Sequence, residues 1–424
     1  MKMKDTMKMK DTMEMKMKEN KGYNTTKVFI AACLGLAFFG IVMLSLGVLL
    51  PPLNSVYPNA NILAPVMSAG IIVGTLVFGP VMDKFGYKWL LVGGATVLLL
   101  GIMGLAYVRE FHMLVFSIFL VGIGGGILNG ETNALVSDIY DSDKRGSRIS
   151  LLGACYCIGA LLWTLGCTFI DYRYALVAVA VVMAISIIYF ISIDFPKAKS
   201  DENATGSAQA DSSAQAEGKS VGNNSSFWRK LTYLLSFPAF IGLALVLFMQ
   251  SGFEGISGSF TTQFFENAGM SGKAATFSLT VFTIGMLCGR FILSYLMSVM
   301  KDVFVFIIYI SVSLFGVLLI LFMPSDVVCC YLGMALLGFG IGSTYPVVFN
   351  VIGEKFRHIS GSAFSIIMFM ALWGQFVYNA IIGTFFNEGN YSSFPIAMIL
   401  NLVVMLLVAP VAIISLRKNH NLGR

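Results

Sequence analysis

The sequence predicts an all-α membrane protein, with twelve transmembrane helices in two pseudo-symmetric six-helix bundles. Three observations carry that prediction. Of the 424 residues, 57% are hydrophobic and 12% charged, with a mean hydropathy of +0.81, whereas a soluble domain carries roughly a quarter charged residues. Twelve apolar runs follow one another, each close to the roughly 20 residues needed to cross the hydrocarbon of a bilayer. A repeat relates the two halves: Gly122, Gly124, Gly126 and Asp138 of GIGGGILNGETNALVSD recur at one constant offset as Gly338, Gly340, Gly342 and Glu354 of GFGIGSTYPVVFNVIGE. Clustered glycines would be poor choices in a soluble helix, but in lipid they let two helix backbones approach closely.

Taken in order, residues 1–27 open with a tandem charged stretch, MKMKDTMKMKDTMEMKMKEN, that has no apolar core and is expected to be a disordered tail. No cleavable signal is evident, because the first apolar run is too long for one. The first half, 28–195, holds runs near 28–50, 64–82, 89–108, 113–137, 149–170 and 174–193, the first ending at Pro51 and Pro52. Residues 196–236 switch to Ser, Ala, Gly, Asn, Asp and Glu and are expected to form a flexible linker. The second half, 237–416, holds runs near 237–260, 274–299, 303–322, 327–351, 361–385 and 394–416, and residues 417–424 form a second tail.

Charge sets the expected orientation. All of the 28 Lys and Arg residues except Arg109, Arg173, Lys273 and Arg290 fall in the tails, the linker and the loops after the second, fourth, eighth and tenth runs. Both termini and the linker are therefore expected in the cytoplasm. The net charge of +6 reads as topology rather than as a nucleic-acid surface, and no nucleic-acid motif is present. The seven cysteines lie within apolar runs, as small hydrophobes without metal spacing, and His112, His358 and His420 are far apart. The expected partners are the lipid bilayer and a small-molecule substrate. No cofactor or metal is expected, and the chain is read as a monomer of a bacterial cytoplasmic membrane.

Polar residues inside the spans mark the candidate site. Glu131 stands between Asn129 and Asn133 in the fourth span, and a carboxyl group inside a bilayer costs several kcal/mol unless it faces a cavity or a partner. Span five adds Tyr156 and Trp163, and span seven adds Gln250 and Glu254, four apart on one helical face. Span ten adds Tyr345, at the repeat position of Asn129, and span eleven adds Trp373, Gln375 and Asn379. Amides, hydroxyls and aromatic faces in a dry cavity suit a sugar, which offers hydroxyls around an apolar ring. The same residue types also serve as glue between membrane helices, at about 1 kcal/mol per bond, and Gln375 and Asn379 fit either role. Trp163 and Trp373 lie well inside their spans and lean towards a site or gate. Glu254 is expected near the outer mouth, as a solvated rim carboxylate or a second coupling acid. Arg290 is expected to snorkel at the cytoplasmic end of span eight or to brace an inner gate. Asp138 and Glu354 end spans four and ten beside basic loops, that of Arg145 among them, and are expected to form salt bridges between the halves.

At GPVMDKFGYK the chain resembles the major facilitator superfamily, whose signature between the second and third helices is matched by Gly79, Asp83, Lys84, Gly86 and Lys88. The physical reading is close helix contact at Gly79, a tight turn at Gly86, and a gating acid at Asp83 flanked by cations. In the second half the signature is degenerate: Gly289, Arg290 and Ser294 remain without the Asp-basic pair. A narrower resemblance, to the fucose, galactose and glucose proton symporters, rests on Glu131, Thr132, Asn133 and Ala134 and on residues 344–377. It implies alternating access for a monosaccharide, with Glu131 in the place of the group's proton-coupling glutamate. The group's other coupling acid, an aspartate in span one, has no counterpart, since residues 28–50 contain no acid. Three classes stay open: a sugar carrier, an exporter of drugs or metabolites in antiport with protons, and a non-transporting sensor or intramembrane enzyme. The enzyme version lacks a paired catalytic constellation.

Overall fold

The computed structural model describes residues 22–140, 142–196, 229, 231–356 and 360–421. The expectations for the first tail and for most of the linker thus fall outside the described residues. Among the described residues, twelve helical stretches are long and apolar enough to cross a membrane. In the first half these are span one, Thr25–Asn54, two, Ala60–Phe78, three, Lys84–Tyr107, four, Phe111–Ile139, five, Ser147–Phe169, and six, Tyr172–Ser192. In the second they are span seven, Pro238–Asn267, eight, Gly272–Met297, nine, Asp302–Phe322, ten, Val327–Lys355, eleven, Ile366–Asn387, and twelve, Ser393–Arg417.

The helix ends differ from the sequence reading where backbone chemistry allows. Span one begins under a cap, Asn24 Oδ1 accepting from the amides of Thr26 and Lys27 at 3.0 and 3.2 Å. It runs through Pro51 and Pro52 to Asn54 instead of ending there. Proline lacks an N–H but keeps its carbonyl, so the chain beyond can still donate backwards, as Ser55 does to Pro51 at 3.3 Å. Spans two and three, within Leu63–Tyr107, are two helices joined at a kink at Gly86, which is non-helical at φ 74° and ψ 173°. A β carbon at Gly86 would meet open space, so this turn needs glycine for its backbone conformation and not for room. Residues 231–235 of the expected linker are helical, and the last helix continues to Asn421, past the expected start of the tail.

Packing repeats from one half to the other. Span one lies against five as seven lies against eleven, two against four as eight against ten, and three against six as nine against twelve. The repeated glycines do matching jobs. A β carbon on Gly122 would strike the Met67 carbonyl of span two, and one on Gly338 the Phe282 carbonyl of span eight. Gly124 is pressed against Leu98 of span three, and Gly340 against Tyr309 and Ser313 of span nine. Lipid gives no hydrophobic drive between helices, so this backbone contact is what holds the spans together. The halves meet where span one touches seven, five touches eight and two touches eleven.

Candidate transport site

The seam between the halves is polar along most of its length. At the far end, where span one stops, Asn54 Nδ2 donates to Asn61 Oδ1 at 2.9 Å and to Gln263 Oε1 at 3.4 Å, and Asn61 Nδ2 donates to Asn387 Oδ1 at 2.9 Å. Deeper in, Asn379 Nδ2 donates to Ser68 Oγ at 2.9 Å, Thr280 to Thr164 at 3.0 Å, and Gln375 Nε2 reaches the Met43 sulfur at 3.7 Å. Both amides of span eleven therefore face the other half. Asn54, Asn61, Ser68 and Gln263 were missed in the sequence because polar residues near a span end look like ordinary loop residues.

Further along lies the charged part of the seam. Tyr156 donates its hydroxyl to Glu254 Oε1 at 2.9 Å. Arg290 Nη1 donates to the Gly153 carbonyl at 2.8 Å, and its guanidinium lies 5.5 Å from the centre of the Tyr156 ring. Tyr345 faces Glu254 and Arg290 from span ten. Two expectations are corrected here. Glu254 is not at a mouth, because span seven extends to Asn267 and leaves it in mid-helix. Arg290 does not snorkel but reaches across the seam, because the halves touch at spans five and eight and offer it a carbonyl and a ring.

Span ten interrupts its helical hydrogen bonding beside this cluster, while Gly342 and Ser343 keep right-handed helical dihedrals. Its helices Val327–Ile341 and Thr344–Lys355 are separated by Gly342 and Ser343, and Gln250 Nε2 donates to the Ile341 carbonyl at 3.2 Å. Gln250 Oε1, Asn379 Oδ1 and Trp163 Nε1 are buried without a hydrogen-bond partner among the described residues. Trp163 lies two helical turns from Tyr156, on the same face of span five.

The remaining candidates sit apart. Glu131 is 0% exposed, and its carboxyl oxygens are buried without a close hydrogen-bond partner among the described residues, the backbone of Leu91 in span three being the polar group that faces them. Asn133 Nδ2 donates along its own helix to the Asn129 carbonyl at 2.8 Å. Trp373 is 42% exposed against Phe369 and Phe376 of its own helix, whereas Gln375 is 3% exposed, so Trp373 faces away from the seam and not into a site. Two residues along a helix turn a side chain by about 200°.

At the near end, where span one starts, each of the two matched acids has a contact within its own half. Asp138 accepts from the Tyr87 hydroxyl at 2.7 Å, and Glu354 lies 3.8 Å from Arg417 of span twelve, which also pairs with Asp302. Of the signature residues, Lys84 is exposed with its ammonium 5.1 Å from the Phe85 ring centre, and Lys88 is half-buried. The side chains of Gly79, Asp83 and Arg145 lie outside the described residues.

This arrangement has known counterparts. The sequence profile of the Major Facilitator Superfamily matches residues 28–378. The structure is similar to a D-xylose-proton symporter, with a TM-score of 0.71 and 13% identity over 91% of this chain and 98% of that one. It is also similar to the Escherichia coli fucose:proton symporter, with a TM-score of 0.62 and 17% identity over 92% of this chain and 99% of that one. At such identities the likeness shows the fold. Related sequences match over shorter stretches. The D-xylose transporter of Levilactobacillus brevis is 32% identical over 93 residues, 22% of this chain and 20% of that protein. The multidrug resistance protein MdtH of Aeromonas salmonicida is 36% identical over 97 residues, 22% of this chain and 24% of that protein. The chain thus spans about a quarter or less of the length of these two relatives. Twelve spans, two halves of matching packing and a profile match across most of its length make this chain an integral multi-pass membrane protein that belongs to the Major Facilitator Superfamily.

Proposed function

We propose that this carrier moves a monosaccharide across the membrane by alternating access, in symport with protons taken up at Glu131. The observation that carries the reading is the set of buried polar atoms without partners, Gln250 Oε1, Asn379 Oδ1 and Trp163 Nε1. Each costs about 1–3 kcal/mol when left unpaired. A ligand with several hydroxyls, each both donor and acceptor, can satisfy acceptors and an indole N–H together. The names of similar proteins support a sugar: the D-xylose transporter, and an arabinose-proton symporter of Escherichia coli that is 28% identical over 106 residues, 25% of this chain and 22% of that protein. Glu131 supports coupling because a buried carboxyl without a partner is costly to ionise and is suited to hold a proton until the cavity is wetted.

In this reading residues 28–195 and 237–416 rock about the bound solute, with residues 196–236 as the connection between them. The protein is a monomer in the bilayer of a bacterial cytoplasmic membrane, with both termini in the cytoplasm. A second reading, an exporter working against a proton gradient, is favoured by the MdtH match.

Proteoliposomes of known orientation test both readings, with labelled D-xylose, L-arabinose, D-glucose and L-fucose. Uptake of a sugar that is abolished by an uncoupler supports the first reading, and efflux without uptake the second. Glu131→Gln mimics the protonated acid, so sugar exchange is expected to survive while gradient-driven accumulation fails. Full accumulation by the variant would end the assignment of Glu131.

A further inference from the structure

Ionisable groups meet where the halves touch, and the sugar reading makes no use of their charge. Glu254 lies in mid-helix, where a carboxylate needs a partner, and it accepts the Tyr156 hydroxyl of the other half at 2.9 Å. Arg290 also reaches across, to the Gly153 carbonyl at 2.8 Å, with its guanidinium over the Tyr156 ring. The titratable and charged groups that face Glu254 are thus Tyr156 and Cys157 from span five, Arg290 from span eight and Tyr345 from span ten. Span eleven turns the amides of Gln375 and Asn379 towards the neighbouring Gly255, and span one turns Met43 and Leu44 towards Gly258.

We propose that Glu254 is a second proton-carrying residue, and that its protonation unlatches the two halves. Both the Tyr156 and the Arg290 bonds cross the seam, so both must break when the halves part at this level. While ionised, Glu254 is a charge-assisted acceptor for Tyr156 and balances the charge of Arg290. A proton on Glu254 removes that charge. Tyr156 then faces a neutral acid, and Arg290 is left as an uncompensated cation in a low-dielectric seam. The closed arrangement loses its advantage over one in which the halves separate and water reaches Arg290. This inference deepens the proton-symport reading and rests on it, but its test needs no transported solute, so a failure of the sugar panel leaves it standing.

The test places spin labels at Val56 and Glu388, exposed far-end positions on opposite halves, in the full-length chain with its native cysteines replaced. Distance distributions are then recorded in nanodiscs at about pH 8 and about pH 5. Acid is expected to lower the closed population of the otherwise unaltered protein about fivefold. Glu254→Gln is expected to show the open, acid-like distribution at both pH values. Tyr156→Phe keeps the ring, removes the donor, and is expected to lower the closed population at about pH 8; it serves as the deciding variant if Glu254→Gln does not fold. The proposal is overturned by an absent pH response, by a normal response in Glu254→Gln, by an unchanged closed population in Tyr156→Phe, or by a response that only Glu131→Gln abolishes.

Discussion

Spans four and ten carry the same glycine pattern and end in matched acids, yet the structure uses them differently. Span four is one uninterrupted helix, Phe111–Ile139, with a buried acid that faces its own half. Span ten interrupts its hydrogen bonding at Gly342 and Ser343 with the dihedrals still helical, has Val347 at the position matching Glu131, and turns Tyr345 towards the seam. The shared glycines do the shared job, close packing on spans two and three or eight and nine. What differs is the polar residues, and they divide the labour. Span four holds an acid away from the partner half, and span ten adds Tyr345 to the charged cluster.

The largest expected effect tests the shared part. Gly122→Leu and Gly338→Leu each drive a side chain into a backbone carbonyl of the neighbouring span, at a cost of about 1–3 kcal/mol or more. Both should sharply lower the yield of monodisperse protein and its melting temperature in detergent. Gly93→Leu, where a β carbon meets open space, should do neither. Equal loss at Gly93 would mean that glycine content, not helix contact, sets stability.

A smaller effect separates the near-end clasps. Arg417→Met removes the cation beside Asp302, which is 4% exposed and also accepts from Asn350 at 3.0 Å. Breaking a buried pair is costly, but Arg417 is itself 41% exposed, so about 2 kcal/mol is expected. Tyr87→Phe removes the donor to Asp138 in the first half, and about 1.5 kcal/mol is expected for a bond to a charged acceptor. Thermal unfolding of the two variants and their double mutant checks the order, and the costs should add, since the clasps belong to different halves.

The smallest effect is a pH dependence at the helix starts. Asp326 precedes span ten and accepts from the Cys329 amide at 2.8 Å, and this bond holds its carboxyl below the ordinary aspartate range. Glu110, at the matching place before span four, makes no side-chain cap. A lowered folded value means that the Asp326 contribution is complete above the unfolded range, about pH 4, and is lost as pH falls through the folded value. Amide protection factors, corrected for the intrinsic exchange rate, should therefore fall in acid at the start of span ten, while those at the start of span four respond less. Asp326→Asn should remove the difference, and a persistent difference in that variant would assign it to another group.

Much of the site was legible in the sequence as residue type, and little of it as geometry. Gln375 and Asn379 were readable as amides in an apolar run, but their bonds to Met43 and Ser68 depend on where span eleven meets the other half. Trp373 looked like a gate because it lies deep in its span, yet depth does not tell which way a ring points. Arg290 looked like a snorkelling cation because it lies near a helix end, and only the packing of span five against eight shows that a carbonyl of the other half is closer to hand.

By itself the sequence determined the number of spans, the doubling into halves, and the glycine positions at which helices touch. These are local properties: apolar length decides whether a segment can lie in lipid, and a missing side chain decides where backbones can meet. Only the tertiary structure decided that Tyr345 of span ten joins the charged cluster, that Glu254 and Arg290 reach across the seam, and that Glu131 is buried within its own half. A helix turns its side chains to every direction at once, and what a given direction contains, whether lipid, its own half or the other, is set by helices far away in the chain.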